Sequence, residues 1–169
     1  MPKTPNYGIT EYKRGRFNLV NHYLRKGRPD SEKDREVIER VILDIDSEMR
    51  TGIPFTTLYR GTDLLDLGVR CKDMLSRQVN VIQNWKGYVS TSYDEKCAHG
   101  FAKGVLLIIT PNAQTEFVNM MDYDKRFMKN QNNEKEILLK HGTRYKITKI
   151  DAEIAKKGKQ YIQVHIILL

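Results

Sequence analysis

Hydrophobic residues in the first third of the chain repeat with the period of an amphipathic helix. An apolar cluster over residues 17–24 predicts a short helix that ends near Gly27. Asp30-Ser31 then offers an N-cap to a longer helix, which residues 51–54 would end. Six apolar residues of this longer helix fall on one stripe, namely Val37, Ile38, Val41, Ile42, Ile45 and Met49. Residues 1–54 are therefore predicted to be mainly helical.

After residue 54 the pattern changes to short runs rich in β-branched and aromatic residues, which predict strands. The strand candidates cover residues 55–60, 84–92, 105–110, 115–120, 136–140, 143–153 and 159–169. Asp94 can cap a short helix that runs through Phe101, and residues 63–80 are predicted to be helical or irregular. Helices followed by short strands predict an α+β fold in a single domain over residues 1–169, with a mainly β core over residues 55–169.

Two carboxylates, Glu134 and Glu136, stand where a polar segment enters one of these strands. Side chains at i and i+2 of a strand share a face, so the two acids would lie side by side while Ile137 and Leu139 point into the core. Paired acids at a strand end suit general acid–base chemistry. On this stretch alone, a solvated strand end is the commoner explanation.

Composition and charge limit the partners and the cellular compartment that we expect for the protein. The net charge of +8 favours acidic partners, but the basic residues are spread out and no run reaches the length of a nucleic-acid-binding tail. No apolar run could span a bilayer and residues 1–6 contain no signal-peptide core, so we expect a cytoplasmic protein, or one delivered to a host by a route that this chain does not encode. Cys71 and Cys97 are isolated, and reduced thiols are expected.

Several common chemistries lack their motifs. No P-loop or dinucleotide-binding glycine motif follows a strand, and no GxSxG nucleophile motif is present. The four histidines are scattered without an HExxH motif, so a metal site is not expected.

Three motifs remain, and their order is informative. Arg60 lies in Leu58-Tyr59-Arg60-Gly61-Thr62, Ser90 lies in the hydroxyl-rich run over residues 87–92, and Glu134-x-Glu136 comes last. Together they resemble the mono-ADP-ribosyltransferases of the arginine–serine–glutamate class, which includes bacterial toxins and phage enzymes, over roughly residues 55–150. The resemblance implies two packed, mainly antiparallel sheets that form an NAD-binding core, with NAD as co-substrate and no metal.

The resemblance also implies which residues bind NAD. Arg60 would anchor the pyrophosphate, for which an arginine fork is suited. Gly61 would let the backbone approach the nicotinamide amide, and Phe101 would pack on the nicotinamide ring. Each residue also has an ordinary explanation: a surface ion pair for Arg60, a turn glycine for Gly61, and a core side chain for Phe101.

The catalytic roles follow from the same resemblance. Ser90 would hydrogen-bond and orient Glu136, and Thr91 and Ser92 would support the site. Glu136 would stabilise an oxocarbenium-like centre as nicotinamide leaves, much as glycosidase carboxylates do. Glu134 would select arginine, because a carboxylate can pair with a guanidinium and help it to lose a proton.

The segment over residues 121–133, with Tyr123 and Phe127, would contact the target protein, although these aromatic residues could instead fix the segment to the body of the protein. The expected partner is a target protein that presents an arginine; neither nucleic acid nor a membrane is expected. No heptad pattern argues for assembly, so a monomer is expected. Two other functions stay open: an NAD glycohydrolase with water as acceptor, and a non-catalytic basic module that binds nucleic acid.

Overall fold

The computed structural model describes residues 1–128, 134–156 and 158–169. Helices occupy its first third: α1 (Tyr7–Glu11), α2 (Phe17–Lys26) and α3 (Arg35–Ser47), with a π-helical turn over Tyr12–Arg16 and a 3₁₀ turn over Glu32–Asp34. The short helices α4 (Lys72–Ser76) and α5 (Glu95–His99) lie among the strands. Within the described ranges, no helix has both the length and the apolar composition needed to cross a membrane.

The helices confirm the apolar stripes and correct their ends. α2 ends at Gly27, whose φ of 75° lies in the left-handed region that favours glycine. α3 buries Ile38, Val41 and Ile45, as its stripe predicted. Ser31 occupies the N-cap position of the 3₁₀ turn that leads into α3, but its side chain makes no capping hydrogen bond, and Asp30 pairs with His22. α3 also ends at Ser47, earlier than predicted.

In the part of the chain that the structure describes, nine strands follow the helices or lie between them: β1 (Arg50–Thr51), β2 (Leu58–Thr62), β3 (Ile82–Trp85), β4 (Val89–Ser92), β5 (Val105–Thr110), β6 (Glu116–Asn119), β7 (Glu136–Leu139), β8 (Thr143–Lys156) and β9 (Lys159–Leu168). They form one sheet in the order β1-β6-β7-β4-β2-β5-β9-β8-β3. The pairs are antiparallel except β5 with β9. The predicted α+β class is confirmed.

The predicted strand over residues 84–92 is wrong, since it is two strands that lie far apart in the sheet. Gly87 falls between them, and a Cβ on it would lie 2.9 Å from the Asn21 side-chain oxygen. The same oxygen accepts a 2.9 Å hydrogen bond from the Tyr88 backbone N–H. The chain therefore leaves the sheet between β3 and β4 in order to contact α2.

The sheet folds into two halves that enclose a core. A single residue pair, Tyr59 with Ser92, joins β2 to β4. Apolar side chains from both sides of this junction share one buried cluster, which includes Phe117, Ile137, Leu139, Ile147, Val164 and Ile166. The two packed sheets that we expected are therefore two packed halves of one large, mainly antiparallel sheet.

The helices cover the outer face of one half and form a second core. Ile9, Val20 and Val41 from the helices share a cluster with Val118 of β6 and Leu138 of β7. β7 is consequently buried on both faces, which explains its uninterrupted apolar run. The first residue of β7, Glu136, is also buried, but it carries a carboxylate where the other residues of the strand are apolar.

Candidate active site

A cleft lies between the N-terminal helices and strands β2, β4 and β7. It consists of three adjoining cavities of about 350, 430 and 560 Å³, and Arg60 contributes to the wall of each. Ser90, Phe101 and Glu134 line both of the smaller cavities. The cleft thus brings together residues that the sequence placed in three separate motifs.

Arg60 is both an ion-pair residue and a wall of the cleft. Its Nε donates a 2.9 Å hydrogen bond to Asp66 Oδ2, and its Nη1 donates a 2.9 Å hydrogen bond to the Ser90 carbonyl oxygen. A weaker contact of 3.4 Å joins Nη2 to Asp66 Oδ1. These bonds use only part of the donor set of the guanidinium, so N–H groups remain for an anionic ligand.

Glu136 opens β7, and its side chain is only 6% exposed. Ser90 Oγ donates a 2.6 Å hydrogen bond to Glu136 Oε2. The Lys13 ammonium donates a 2.5 Å hydrogen bond to the other oxygen, Oε1. A carboxylate this deeply buried is stable only because both of its oxygens are paired.

Glu134 stands beside Glu136, as predicted, but not through the alternation of a strand. Lys135 between them has a φ of 48°, so the backbone turns sharply and Glu134 lies outside β7. The Lys13 ammonium lies 3.6 Å from Glu134 Oε2, within ion-pair range. Both acids therefore face the same cation at the cleft, which excludes the solvated strand end as the description of this pair.

The two other hydroxyl residues of β4 fix the backbone around the two acids. Thr91 Oγ1 donates a 2.7 Å hydrogen bond to the Ile137 carbonyl oxygen, and Ser92 Oγ donates one of 2.7 Å to the Glu134 carbonyl oxygen. Both side chains are buried and both residues line the 350 Å³ cavity. They hold the backbone on either side of Glu136.

Gly61 and Phe101 meet at the wall that α5 forms. A Cβ on Gly61 would lie 1.9 Å from the Ala98 carbonyl oxygen, so only glycine lets α5 pack against β2 at this point. Phe101 lies beyond the end of α5 and is 57% exposed. It is therefore not a core residue, and its ring is available to a ligand in the cleft.

Sequence reasoning missed the contribution of the N-terminal segment, chiefly Lys13. Burial alone would lower the pKa of the Lys13 ammonium, but the carboxylates of Glu136 and Glu134 outweigh it and raise that pKa above its ordinary value. Asn18 and Arg25 also line the cleft. The only sequence signal is the basic pair at residues 13–14, which is one of the spread-out groups of basic residues that do not form a binding tail.

The segment after β6 is only partly described. Tyr123 is 4% exposed, and its hydroxyl donates a 3.1 Å hydrogen bond to Glu48, the residue that follows α3. Tyr123 therefore fixes the segment to the C-terminal end of α3. Phe127 is exposed, and residues 129–133 lie outside the described ranges. Among the described residues, no group of three or more His, Cys, Asp or Glu side chains could hold a metal ion.

A model of the ADP-ribosyltransferase exoenzyme family matches residues 4–169 of the chain. A comparison with curated protein sequences gives no match. Among solved structures, the chain is similar to the ADP-ribosylating toxin BECa of C. perfringens, solved with NADH, at a TM-score of 0.74 and 19% identity over 96% of this chain. It spans only 42% of that protein.

Two other solved structures are similar over more than four fifths of their own length. Plx2a, an ADP-ribosyltransferase toxin from Paenibacillus larvae, has a TM-score of 0.74 and 23% identity, with 96% of this chain and 84% of that chain covered. The Clostridium limosum C3 exoenzyme has a TM-score of 0.71 and 20% identity, with 96% and 83% covered. At identities this low, the structural similarity shows that the fold is shared.

Proposed function

The chain belongs to the ADP-ribosyltransferase exoenzyme family, and from this premise we propose that it transfers ADP-ribose from NAD to arginine side chains of a target protein, with release of nicotinamide. One observation carries the proposal. Glu134 and Glu136 face the same point of the cleft, and Glu136 is held by Ser90 at 2.6 Å.

The residues of the cleft fit NAD. The adjoining cavities have the size that ligand sites of this kind require. In this proposal the unused N–H groups of Arg60 bind the pyrophosphate, and the exposed ring of Phe101 packs on the nicotinamide. NAD supplies a glycosidic bond whose cleavage leaves positive charge on the ribose.

The two carboxylates divide the remaining work. Glu136, fixed and almost fully buried, accepts a hydrogen bond from the ribose and stabilises the positive charge that develops there. Glu134 is more exposed and stands nearer to the open side, where it pairs with the guanidinium of the target and takes its proton. A glutamate at this position is what favours arginine as the acceptor.

The test uses two carboxamide variants and labelled NAD. Glu136→Gln should abolish both nicotinamide release and labelling of protein in a host lysate, because the charge that stabilises the transition state is lost. Glu134→Gln should lose labelling of arginine and retain nicotinamide release. Mass spectrometry of the labelled lysate identifies the modified side chain, and thermal unfolding checks that each variant folds.

Glu116→Gln is the matched control, since Glu116 is an exposed carboxylate that pairs with Lys140 away from the cleft. It should label arginine at the wild-type rate. Arginine labelling by Glu136→Gln would contradict the proposed mechanism. Nicotinamide release by the wild type without any protein label would show an NAD glycohydrolase, and label on another side chain would show a different acceptor.

A further inference from the structure

The N-terminal segment places a lysine directly on the two acids of the cleft. Lys13 Nζ lies 2.5 Å from Glu136 Oε1 and 3.6 Å from Glu134 Oε2, and the lysine side chain is 16% exposed. The contact to Glu136 is a hydrogen bond, whereas the contact to Glu134 is only an ion pair. Glu136 is therefore the principal partner of Lys13.

We propose that Lys13 is a positioning residue for Glu136, which it holds in the orientation that the reaction needs while keeping Glu134 beside it. The inference rests on the proposed function. Ser90 fixes one carboxylate oxygen of Glu136 and Lys13 fixes the other, so rotation of the carboxylate is blocked from both sides. Each oxygen keeps a lone pair for a further donor, so the carboxylate can still accept a hydrogen bond from a substrate.

Charge gives a second reason for the lysine. Two carboxylates that approach the same point repel each other, and one of them is buried. The Lys13 ammonium offsets this repulsion because it lies within ion-pair range of both. Without it, Glu136 would turn away from Glu134, and this change removes the stabilising group from the reacting centre.

The backbone that carries Lys13 is fixed by the contacts of its neighbour Tyr12. The lysine lies in the π-helical turn over Tyr12–Arg16, in which Gly15 has a φ of 137°. This φ is not helical and suits glycine, so the chain kinks at Gly15 just after Lys13. Tyr12, the preceding residue, is buried, accepts a 2.9 Å hydrogen bond from Asn21, and packs edge-on against Tyr88.

The experiment compares Lys13→Met, Lys13→Gln and Lys13→Arg with the wild type. Nicotinamide release is measured against NAD concentration, and transfer is measured with agmatine as the guanidine acceptor. Lys13→Met and Lys13→Gln should lower kcat for both reactions by about tenfold or more and keep KM for NAD within about twofold. The reason is that a misplaced catalytic group slows the reaction of bound NAD, whereas the binding of NAD itself does not change. Lys13→Arg keeps the charge and should recover most of the rate.

Arg16→Met is the control, because Arg16 lies in the same turn and pairs with Glu11 instead of the acids. It should keep the wild-type kcat. Three results would overturn the inference: an unchanged or raised kcat in Lys13→Met and Lys13→Gln, a change confined to KM, or no recovery in Lys13→Arg. A wild type that releases no nicotinamide overturns the proposed function and this inference together, whereas an active wild type with equally active lysine variants overturns this inference alone.

Discussion

Ser90 and Glu136 are diagonal neighbours across the β4–β7 ladder, and the Ser90 hydroxyl donates a 2.6 Å hydrogen bond to Glu136 Oε2. The register pairs Ser92 with Glu136 and Ser90 with Leu138, so Ser90 reaches Glu136 from two residues along the strand. Because both strands are held by backbone hydrogen bonds, the distance between the two side chains depends on the sheet and not on a loop.

This relationship predicts the effect of Ser90→Ala. Removal of the hydroxyl leaves Glu136 Oε2 without its donor, so the carboxylate is less well oriented in the proposed reaction. We expect kcat for nicotinamide release to fall about ten- to hundredfold, since a hydrogen bond to a charged group contributes about 1.5–3 kcal/mol. Steady-state kinetics against NAD concentration measure the change.

Ser76→Ala is the control for this substitution, because Ser76 is an exposed serine of α4 whose hydroxyl donates only a 3.4 Å hydrogen bond to a backbone carbonyl. It should retain the wild-type kcat. An equal kcat for Ser90→Ala and the wild type would show that the hydrogen bond to Glu136 has no part in the reaction.

The candidate site residues that lie on strands were predicted from three sequence motifs and their resemblance to a family pattern, and the cleft brings these residues together. The alternation of a strand places Ser90 and Glu136 on defined faces, and an acid that begins an otherwise apolar run is conspicuous. Arg60 was predicted from its place at the end of a strand, as the first of the three ordered motifs that carry the family resemblance. A contacting residue could be predicted only where it lies in one of the three motifs, as Ser90 does.

Lys13 could not be predicted, because its contact with Glu136 joins residues 123 positions apart in the chain. Neither the helical period nor the basic pair at residues 13–14 indicates where that side chain points. The break between β3 and β4 is similar in origin: it depends on the contact of Gly87 and Tyr88 with Asn21, which belongs to a different element. Local patterns cannot reveal contacts of this kind.

Gly61 provides a test of how closely α5 packs on β2. In Gly61→Ala the new Cβ would lie 1.9 Å from the Ala98 carbonyl oxygen and 2.5 Å from the Ala102 nitrogen, both backbone atoms. Helix and strand must separate, and we expect a loss of at least about 1–3 kcal/mol in the free energy of unfolding. Urea unfolding measures this loss.

Gly100→Ala is the matched control at the other side of the same helix end. Its Cβ would meet nothing closer than the Cys97 carbonyl oxygen at 3.5 Å, and its φ of −61° suits any residue. The alanine should be neutral or stabilise the protein by about 0.4–1 kcal/mol. Equal stability of the two alanine variants would contradict the close packing of α5 on Gly61.

Asp46 lies behind the cleft, where it supports Tyr88 and predicts a dependence of stability on pH. Its Oδ1 accepts a 2.6 Å hydrogen bond from the Tyr88 hydroxyl, and its Oδ2 lies 2.8 Å from His141 Nε2. Burial favours the neutral acid, but the hydrogen bonds from His141 and Tyr88 outweigh it and lower the pKa of Asp46 below its ordinary value. The ionised form therefore stabilises the folded protein.

Since the folded-state pKa of Asp46 lies below the unfolded value of about 3.9, its contribution is complete above that pH and is lost as pH falls through the folded pKa. Asp46→Asn should reduce the free energy of unfolding by about 1–2 kcal/mol near pH 7, and the difference from the wild type should shrink below about pH 4. Urea unfolding at a series of pH values measures both. Asp30→Asn is the control: it breaks the exposed pair with His22 and should change the free energy of unfolding by less than about 1 kcal/mol. An effect of Asp46→Asn that does not depend on pH would contradict the role of the Asp46 charge.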